Sequence, residues 1–343
     1  MRVLIDILHP AHVHFFKGFR REMTGCGHEV LITAREKDVA VPLLDRLEIP
    51  HQVLSHQRTG LGLGLEMLTR TARLVSAARQ FRPDVMTGIM GPSIAVAGRL
   101  LRTPAVIFYD TEFATQTNWF AYPLATAVCT PDCYQGRVRG NHITYPGYHE
   151  LAYLHPDRFT PRPERLAPFG VSAGERYFVV RFVSWEASHD AGEVALDLDQ
   201  KRALVNALRA HGRVVISSET PLPADLEDLR ATGPVEDVHH LLAFAGLMVG
   251  ESATMASEAA VLGTPAVFIA TTGRGYTDDQ ERRYALVRHF KDAQFADALD
   301  WVNAALASAT LDDDARKARA ALLRDKIDVT GWMVDFFSSR FAT

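Results

Sequence analysis

Short runs of aliphatic and β-branched residues recur along the chain and alternate with longer stretches in which apolar side chains return every three or four positions. Val3 to Leu8, Glu29 to Thr33, Asp84 to Gly88, Ala105 to Tyr109 and His142 to Tyr145 are too short for helices and are bounded by polar or turn residues, so they predict strands. Between them lie amphipathic segments such as Leu65 to Phe81, with Leu68, Ala72, Val75 and Ala78 at helical spacing. This βαβ rhythm predicts a parallel sheet. The stretch Tyr153 to Pro168 then carries four prolines, which fit neither helix interiors nor inner strands, and marks a linker. A second series follows: Tyr177 to Phe182, Arg213 to Ser217, Leu247 to Gly250 and Ala266 to Ile269. The last segment, Val329 to Phe341, sets Trp332, Met333, Phe336, Phe337 and Phe341 mostly on one helical face, which predicts that it docks on a domain.

Composition agrees with two cores. A chain of 343 residues is long for one core, and 47% hydrophobic content supplies two. The expected division is residues 1–160 and 170–327, each a Rossmann-like α/β domain, with 328–343 a helix docking back toward the first. Cys26, Cys129 and Cys133 form neither a disulfide framework nor a zinc pattern, and Cys129 and Cys133 are expected to be core thiols of a cytoplasmic protein. The N-terminus opens on a strand without a signal-peptide layout, and the longest uncharged run, Phe113 to Pro131, is too polar for a membrane span. Net charge is -4, divided unevenly: residues 1–165 hold 19 Lys and Arg against 15 Asp and Glu, the rest 18 against 26. That asymmetry points the N-terminal half toward an anionic partner, an acceptor carrying phosphate or the inner face of a membrane through peripheral contact. No basic run or basic-aromatic stripe is present, which sets nucleic acid aside.

The segment Gly246 to Val267 is the most informative. An apolar strand enters small residues, a short helix with a lone Glu258 follows, and Gly263-Thr-Pro leads to a second apolar strand. The first-turn amides of such a helix lack intrahelical partners and face an anion with the positive end of the dipole. Ser252, Ala253 and Thr254 are small enough for a phosphate to reach those amides, and Glu258, about one turn beyond, is suited to a ribose hydroxyl. An ordinary strand-loop-helix is the plain alternative. Other loops past strand ends carry chemistry too. His9, His12 and His14 follow the first strand without the glycine fingerprint of a dinucleotide site; imidazoles at a helix start can bind an anion, act as a base or cap the helix, and no further ligand set favours a metal. Asp110 and Glu112 follow the strand Ala105 to Tyr109, with Asn118 beyond, and burial there is expected to raise a carboxyl toward general-base range. In the second half, Arg181 and His189, flanking Ser184, are candidates to neutralise a departing diphosphate, and the glycine-flanked loop 273–284, with Gln280, offers hydrogen bonds to a sugar.

Pro234-Val-Glu-Asp-Val-His-His-Leu-Leu-Ala-Phe-Ala245, the Gly246 to Val267 window and the Asp279-Gln280 loop together resemble the donor domain of GT-B glycosyltransferases. They are similar to the enzyme that adds N-acetylglucosamine to the lipid-linked peptidoglycan precursor and to the non-hydrolysing UDP-N-acetylglucosamine 2-epimerases. Through Asp6-Ile-Leu-His-Pro-Ala-His-Val-His14 and Tyr145-Pro-Gly-Tyr-His-Glu-Leu-Ala-Tyr153 the whole chain also resembles an uncharacterised bacterial and archaeal family of this superfamily. The resemblance implies an α/β, GT-B-like fold of two facing Rossmann-like domains with parallel sheets. It implies that Ser252 to Thr254 hold the diphosphate, Glu258 the ribose, backbone from Val235 to Val238 the base, and Gln280 the donor sugar. The chain departs from the epimerases at Ser252-Ala-Thr254, where they have Ser-Gly-Gly, and at its histidine loop, which replaces their Gly-Thr-Arg-Pro-Glu.

The expectation is a metal-independent glycosyltransferase with no cofactor, moving a sugar from a UDP-linked or other nucleotide sugar to a cell-surface polysaccharide or lipid-linked acceptor. Glu112, Asp110 or His12 would take the acceptor proton, Arg181 or His189 would stabilise the departing diphosphate, and His9 and His14 would join in holding substrate. The alternatives are an epimerase-like sugar isomerase and a non-catalytic nucleotide-sugar-binding protein.

Overall fold

A computed structural model describes residues 1–37, 39–56, 62–112, 119, 121–182, 196–218 and 221–342. The chain divides into two compact units, Met1–Arg158 together with Lys326–Thr343, and Phe159–Asp325. The break lies within the proline-containing stretch.

The first unit alternates β1 (Arg2–Ile7), α1 (Pro10–Gly25), β2 (Glu29–Glu36), α2 (Ala40–Arg46), β3 (Gln52–His56), α3 (Gly62–Phe81), β4 (Val85–Ile89), α4 (Pro92–Leu101), β5 (Ala105–Phe108), β6 (Ala127–Pro131), β7 (His142–Tyr145) and α5 (Leu151–Leu154). Its sheet has the order β3-β2-β1-β4-β5-β6-β7, every pair parallel. Helices on both faces explain why β1, β4 and β5 read as nearly unbroken apolar runs: every residue of β4 and β5 is buried. Helix α1 starts where Pro10, with its preset φ and no amide to lose, occupies the first turn, and Val13, Phe15, Phe16, Phe19 and Met23 seat it on the sheet. Cys129 lies buried in β6, its thiol pushed up to about 12 by desolvation, whereas Cys133 is only half-buried and Cys26 is exposed.

The second unit contains β8 (Tyr177–Arg181), α6 (Leu198–Arg209), β9 (Arg213–Ser217), α7 (Val238–Ala243), β10 (Leu247–Gly250), α8 (Ala253–Leu262), β11 (Ala266–Ile269), α9 (Gly275–Tyr284), β12 (Val287–Phe290), α10 (Phe295–Ala307) and α11 (Leu311–Asp325). Its parallel sheet runs β12-β11-β10-β8-β9. Phe178, Val180, Leu204, Ile216, Val249, Ile269 and Val302 form one face of its core.

The chain then returns to the first unit as α12 (Val329–Phe341). Lys326, only 3% exposed, donates to Asp132 Oδ1 at 2.7 Å, Ile327 N–H donates to Pro146 O at 2.9 Å, and Thr330 Oγ1 donates to Ala152 O at 2.7 Å. Phe337 packs on Phe19, centroids 4.9 Å apart, and stacks on Phe108 at 6.4 Å. Among the described residues no helix is long and apolar enough to cross a membrane.

Candidate functional site

Ligands of doubly wound sheets sit beyond the carboxyl ends of the strands, where the strand order reverses. In the first unit that point is β1, flanked by β2 and β4. The three histidines that follow β1 are separated by the helix they enter. His9 is exposed and caps α1, its Nδ1 accepting from Ala11 N–H at 3.2 Å. His12 is 7% exposed and its Nδ1 accepts from Leu8 N–H at 3.3 Å. Burial, and then His9, hold its pKa well below the ordinary 6.5, against the opposing pull of Asp110. His14 points elsewhere, since two residues turn a helix by more than half a revolution. Its Nδ1 lies 3.2 Å from Lys17 Nζ and its ring 5.3 Å from Tyr153. The expectation that His14 joins His9 and His12 around one substrate is therefore corrected.

Asp110 follows β5 and meets a residue that sequence reasoning missed. His149, brought in by the turn after β7, places Nδ1 2.9 Å from Asp110 Oδ2. Burial alone would raise the Asp110 carboxyl, but the charge and hydrogen bond of His149, with a further bond from Thr111, hold it below its ordinary value. This corrects the expectation that Asp110 is raised into general-base range. The His149 ring is 7% exposed and lies 4.5 Å from the Phe15 ring. Its Nε2 is buried with no hydrogen-bond partner among the described residues. Tyr145 Oη and Glu112 Oε2 are in the same condition, while Glu112 Oε1 accepts from Gln135 N–H at 3.2 Å. Buried polar atoms are normally satisfied, so three such atoms from residues 110–149 mark hydrogen-bonding capacity held for water or a ligand. Asn118 lies outside the described residues. The signal for His149 was present: it stands four residues past the strand His142–Tyr145, at the sheet end where ligands bind.

In the second unit the order reverses at β8, between β9 and β10. Arg181 closes β8 and donates from Nη1 to Ser217 Oγ at 3.2 Å. A side chain at Gly250 would put its Cβ 2.0 Å from Arg181 O, so the strands approach here only because position 250 is glycine. Glu251 follows, accepting from Leu196 N–H at 2.8 Å and lying 3.8 Å from the buried Lys201 ammonium. Desolvation lowers Lys201, and Glu251 partly restores it. Neither residue of this buried pair was anticipated, although Glu251 sits directly past a strand end.

Ser252, Ala253 and Thr254 begin α8 and are half-buried. Ser252 is a true N-cap, its Oγ accepting from Met255 N–H at 3.3 Å, so its hydroxyl serves the helix and the amides of Ala253 and Thr254 are first-turn donors with no partner within the helix. Glu258 is not the lone acid the sequence presents. It is 5% exposed and its Oε1 lies 2.9 Å from Nε2 of His239, itself 2% exposed. Val235 and Asp237 form a single 3-10 turn leading into α7, where Val238 is half-buried. The segment 273–284 is mostly helix α9 rather than an open loop. Gln280 is fully buried, donating to Ser257 Oγ at 2.8 Å, and so packs α9 against α8 instead of facing a sugar. Ser184 and His189 lie outside the described residues. Among the described residues no three His, Cys, Asp or Glu side chains are grouped as a metal site requires.

Residues 1–335 match the family described as Protein of unknown function (DUF354). No curated protein matches the chain in sequence. Among solved structures, the chain is similar to the UDP-GlcNAc 2-epimerase of Methanocaldococcus jannaschii in complex with UDP-GlcNAc and UDP, at TM-score 0.63 and 11% identity, covering 94% of this chain and 99% of that one. It is similar to MurG of Acinetobacter baumannii at TM-score 0.60 and 16% identity, over 99% and 100% of the two chains. It is similar to the glycosyltransferase VinC in complex with dTDP at TM-score 0.64 and 14% identity, over 99% and 100%. Identities this low carry the fold, an α/β architecture of GT-B type with two Rossmann-like units.

Proposed function

The chain belongs to the family described as Protein of unknown function (DUF354), and from that premise and the geometry of both units we propose that it is a metal-independent glycosyltransferase using a nucleotide sugar. In this reading the second unit takes the nucleoside diphosphate, UDP in the first instance, and the first unit takes an anionic glycan or lipid-linked acceptor. One observation carries the proposal: at the reversal point of the five-stranded sheet, a half-buried helix start presents the Ala253 and Thr254 amides, and Glu258, fixed by His239, stands about one turn along the same helix. The amides and dipole suit a diphosphate, and a carboxylate at that distance suits a ribose diol. Arg181 is the strand partner of Gly250, just before that helix start, and transfer needs positive charge where the diphosphate departs. The positive balance of residues 1–165 supports an anionic acceptor.

The test is a thermal-shift and calorimetric screen against UDP, GDP, CMP and dTDP and their sugars. A nucleotide at roughly 100 times its Kd should stabilise the fold by about 2.7 kcal/mol. Glu258→Ala should weaken UDP binding by about tenfold or more, the worth of hydrogen bonds to a charged group. Equal affinity of wild type and variant removes the ribose assignment, and no binding of any nucleotide removes the proposal.

A second reading, sugar epimerisation by elimination, draws support from the gathering of His12, Asp110, Glu112 and His149 in one unit, because that chemistry needs several acid and base groups. Incubation with UDP-N-acetylglucosamine alone separates the two: an epimerase converts it without acceptor.

A further inference from the structure

The two buried histidines near Asp110 are wired in opposite senses. A carboxylate only accepts, so Asp110 Oδ2, 2.9 Å from His149 Nδ1, holds a proton on Nδ1, and in the neutral ring the lone pair is then on Nε2. At His12 the Leu8 amide donates to Nδ1 at 3.3 Å, so the lone pair is used there and the proton of the neutral ring sits on Nε2. His12 can therefore donate from Nε2 but has no lone pair there, whereas His149 can accept at Nε2, an atom buried without a partner among the described residues. Phe15 packs on the His149 ring and holds its plane.

We propose that His149 is the base of the transfer reaction, that Asp110 is its positioning residue, and that His12 is a neutral hydrogen-bond donor beside it. The assignment rests on the glycosyltransferase reading and replaces Glu112, Asp110 and His12 as the proton acceptor. The hydroxyl oxygen of the acceptor forms a bond to the anomeric carbon as the bond from that carbon to the diphosphate oxygen breaks, and the electron pair leaves with the nucleoside diphosphate. The hydroxyl proton passes to His149 Nε2. The resulting imidazolium keeps its Nδ1–H on Asp110, and the proton returns to solvent after product leaves. Asp110 is the carboxylate bonded to this ring, His12 interacts with it electrostatically, and Glu150 adjoins it in sequence. The buried state of His12 keeps a second positive charge out of the same site.

The test joins a spectroscopic and a kinetic measurement on the full chain. Long-range proton–nitrogen correlation spectra of the labelled protein, assigned with His149→Gln and His12→Gln, should show His149 protonated on Nδ1 and His12 on Nε2. A His149 ring protonated on Nε2 overturns the proposal. Release of UDP from UDP-N-acetylglucosamine, with water as acceptor, is then followed against pH. His149→Gln should slow it by about 10²- to 10⁴-fold, the usual worth of a general base. Asp110→Asn should slow it and move the acid limb of the profile to lower pH, because the imidazolium loses its carboxylate; a drop with the limb unmoved means a structural role only and overturns the assignment. Should His149→Gln fail to fold, Asp110→Asn and the wild-type spectrum carry the test. An active wild type whose rate and profile are unchanged in His149→Gln removes the base alone. A wild type that releases no UDP fails the transfer reading, and the base assignment with it.

Discussion

His12 shows how burial of one side chain reaches a measurable property of the protein. Its folded pKa is depressed by desolvation, while the unfolded chain titrates near about 6.5. Below that value the unfolded state binds a proton that the folded state resists, so stability is fully present above about pH 6.5 and is lost progressively as pH falls from there toward the folded pKa. The depressed Asp110 adds a further loss only in the more acid range, below its ordinary 3.8. His12→Gln should therefore flatten the fall in unfolding free energy just below about pH 6.5. Denaturant titrations across that range check it, and an unchanged slope means that His12 is not held neutral. The residue scale is also where sequence was least legible. Asp110, Glu112, His12 and Ser252 were all visible as groups past strand ends, but what each one touches depends on pairings between distant segments. Asp110 meets a side chain 39 positions away, and Glu258 meets one 19 positions before it, so neither the lowered carboxyl nor the buried His239 partner follows from local spacing. Gln280 misled for the opposite reason: glycines on its N-terminal side read as an open loop, yet the segment closes into a helix that buries it.

Elements were more legible, because periodicity is a local signal. The nine strands anticipated all form, and α12 spans the residues its apolar face marks. Three described strands were missed. β3 is exposed at Gln52, Val53 and His56 with only Leu54 and Ser55 buried, β12 carries Arg288 and His289, and β6 lies in the long uncharged stretch where an apolar run has no contrasting polar flank. Helix ends also carry a prediction. Ala285, exposed at the C-cap of α9, holds φ at 54°, in the left-handed region that costs an L side chain about 1–2 kcal/mol relative to glycine. Part of that gain is offset by the greater freedom of glycine in the unfolded chain. Ala285→Gly should thus stabilise the second unit by about 0.5–1 kcal/mol, read as a higher denaturation midpoint at unchanged slope. A lower midpoint would show that the Ala285 methyl makes contacts that outweigh its strain.

At the scale of the molecule the two units differ in how they are cut from the chain. The second is one continuous segment, Phe159–Asp325, and its core residues all lie within it. The first is completed by α12, whose Phe337 fills the space between Phe19 and Phe108 and whose loss would open a cavity worth about 3–5 kcal/mol from that ring alone. Residues 159–325 expressed alone should unfold in one cooperative transition, whereas residues 1–158 alone should keep helical signal and lose fixed aromatic packing. Near-ultraviolet dichroism of the two fragments decides it, and a cooperative, well-packed 1–158 fragment would show that α12 is dispensable. The break after Arg158 falls within the proline-containing stretch, where prolines allow only short elements such as the 3-10 turns Pro163–Arg165 and Ala167–Phe169. The return of the chain has a consequence for biosynthesis. At about 5–20 residues per second, the ribosome spends roughly 10–40 s between finishing residue 158 and delivering α12. Throughout that interval the aromatic seat around Phe108 is open on the nascent polypeptide, and the segment made later can reach its native state first. Demand for chaperone protection therefore falls on the half translated earliest.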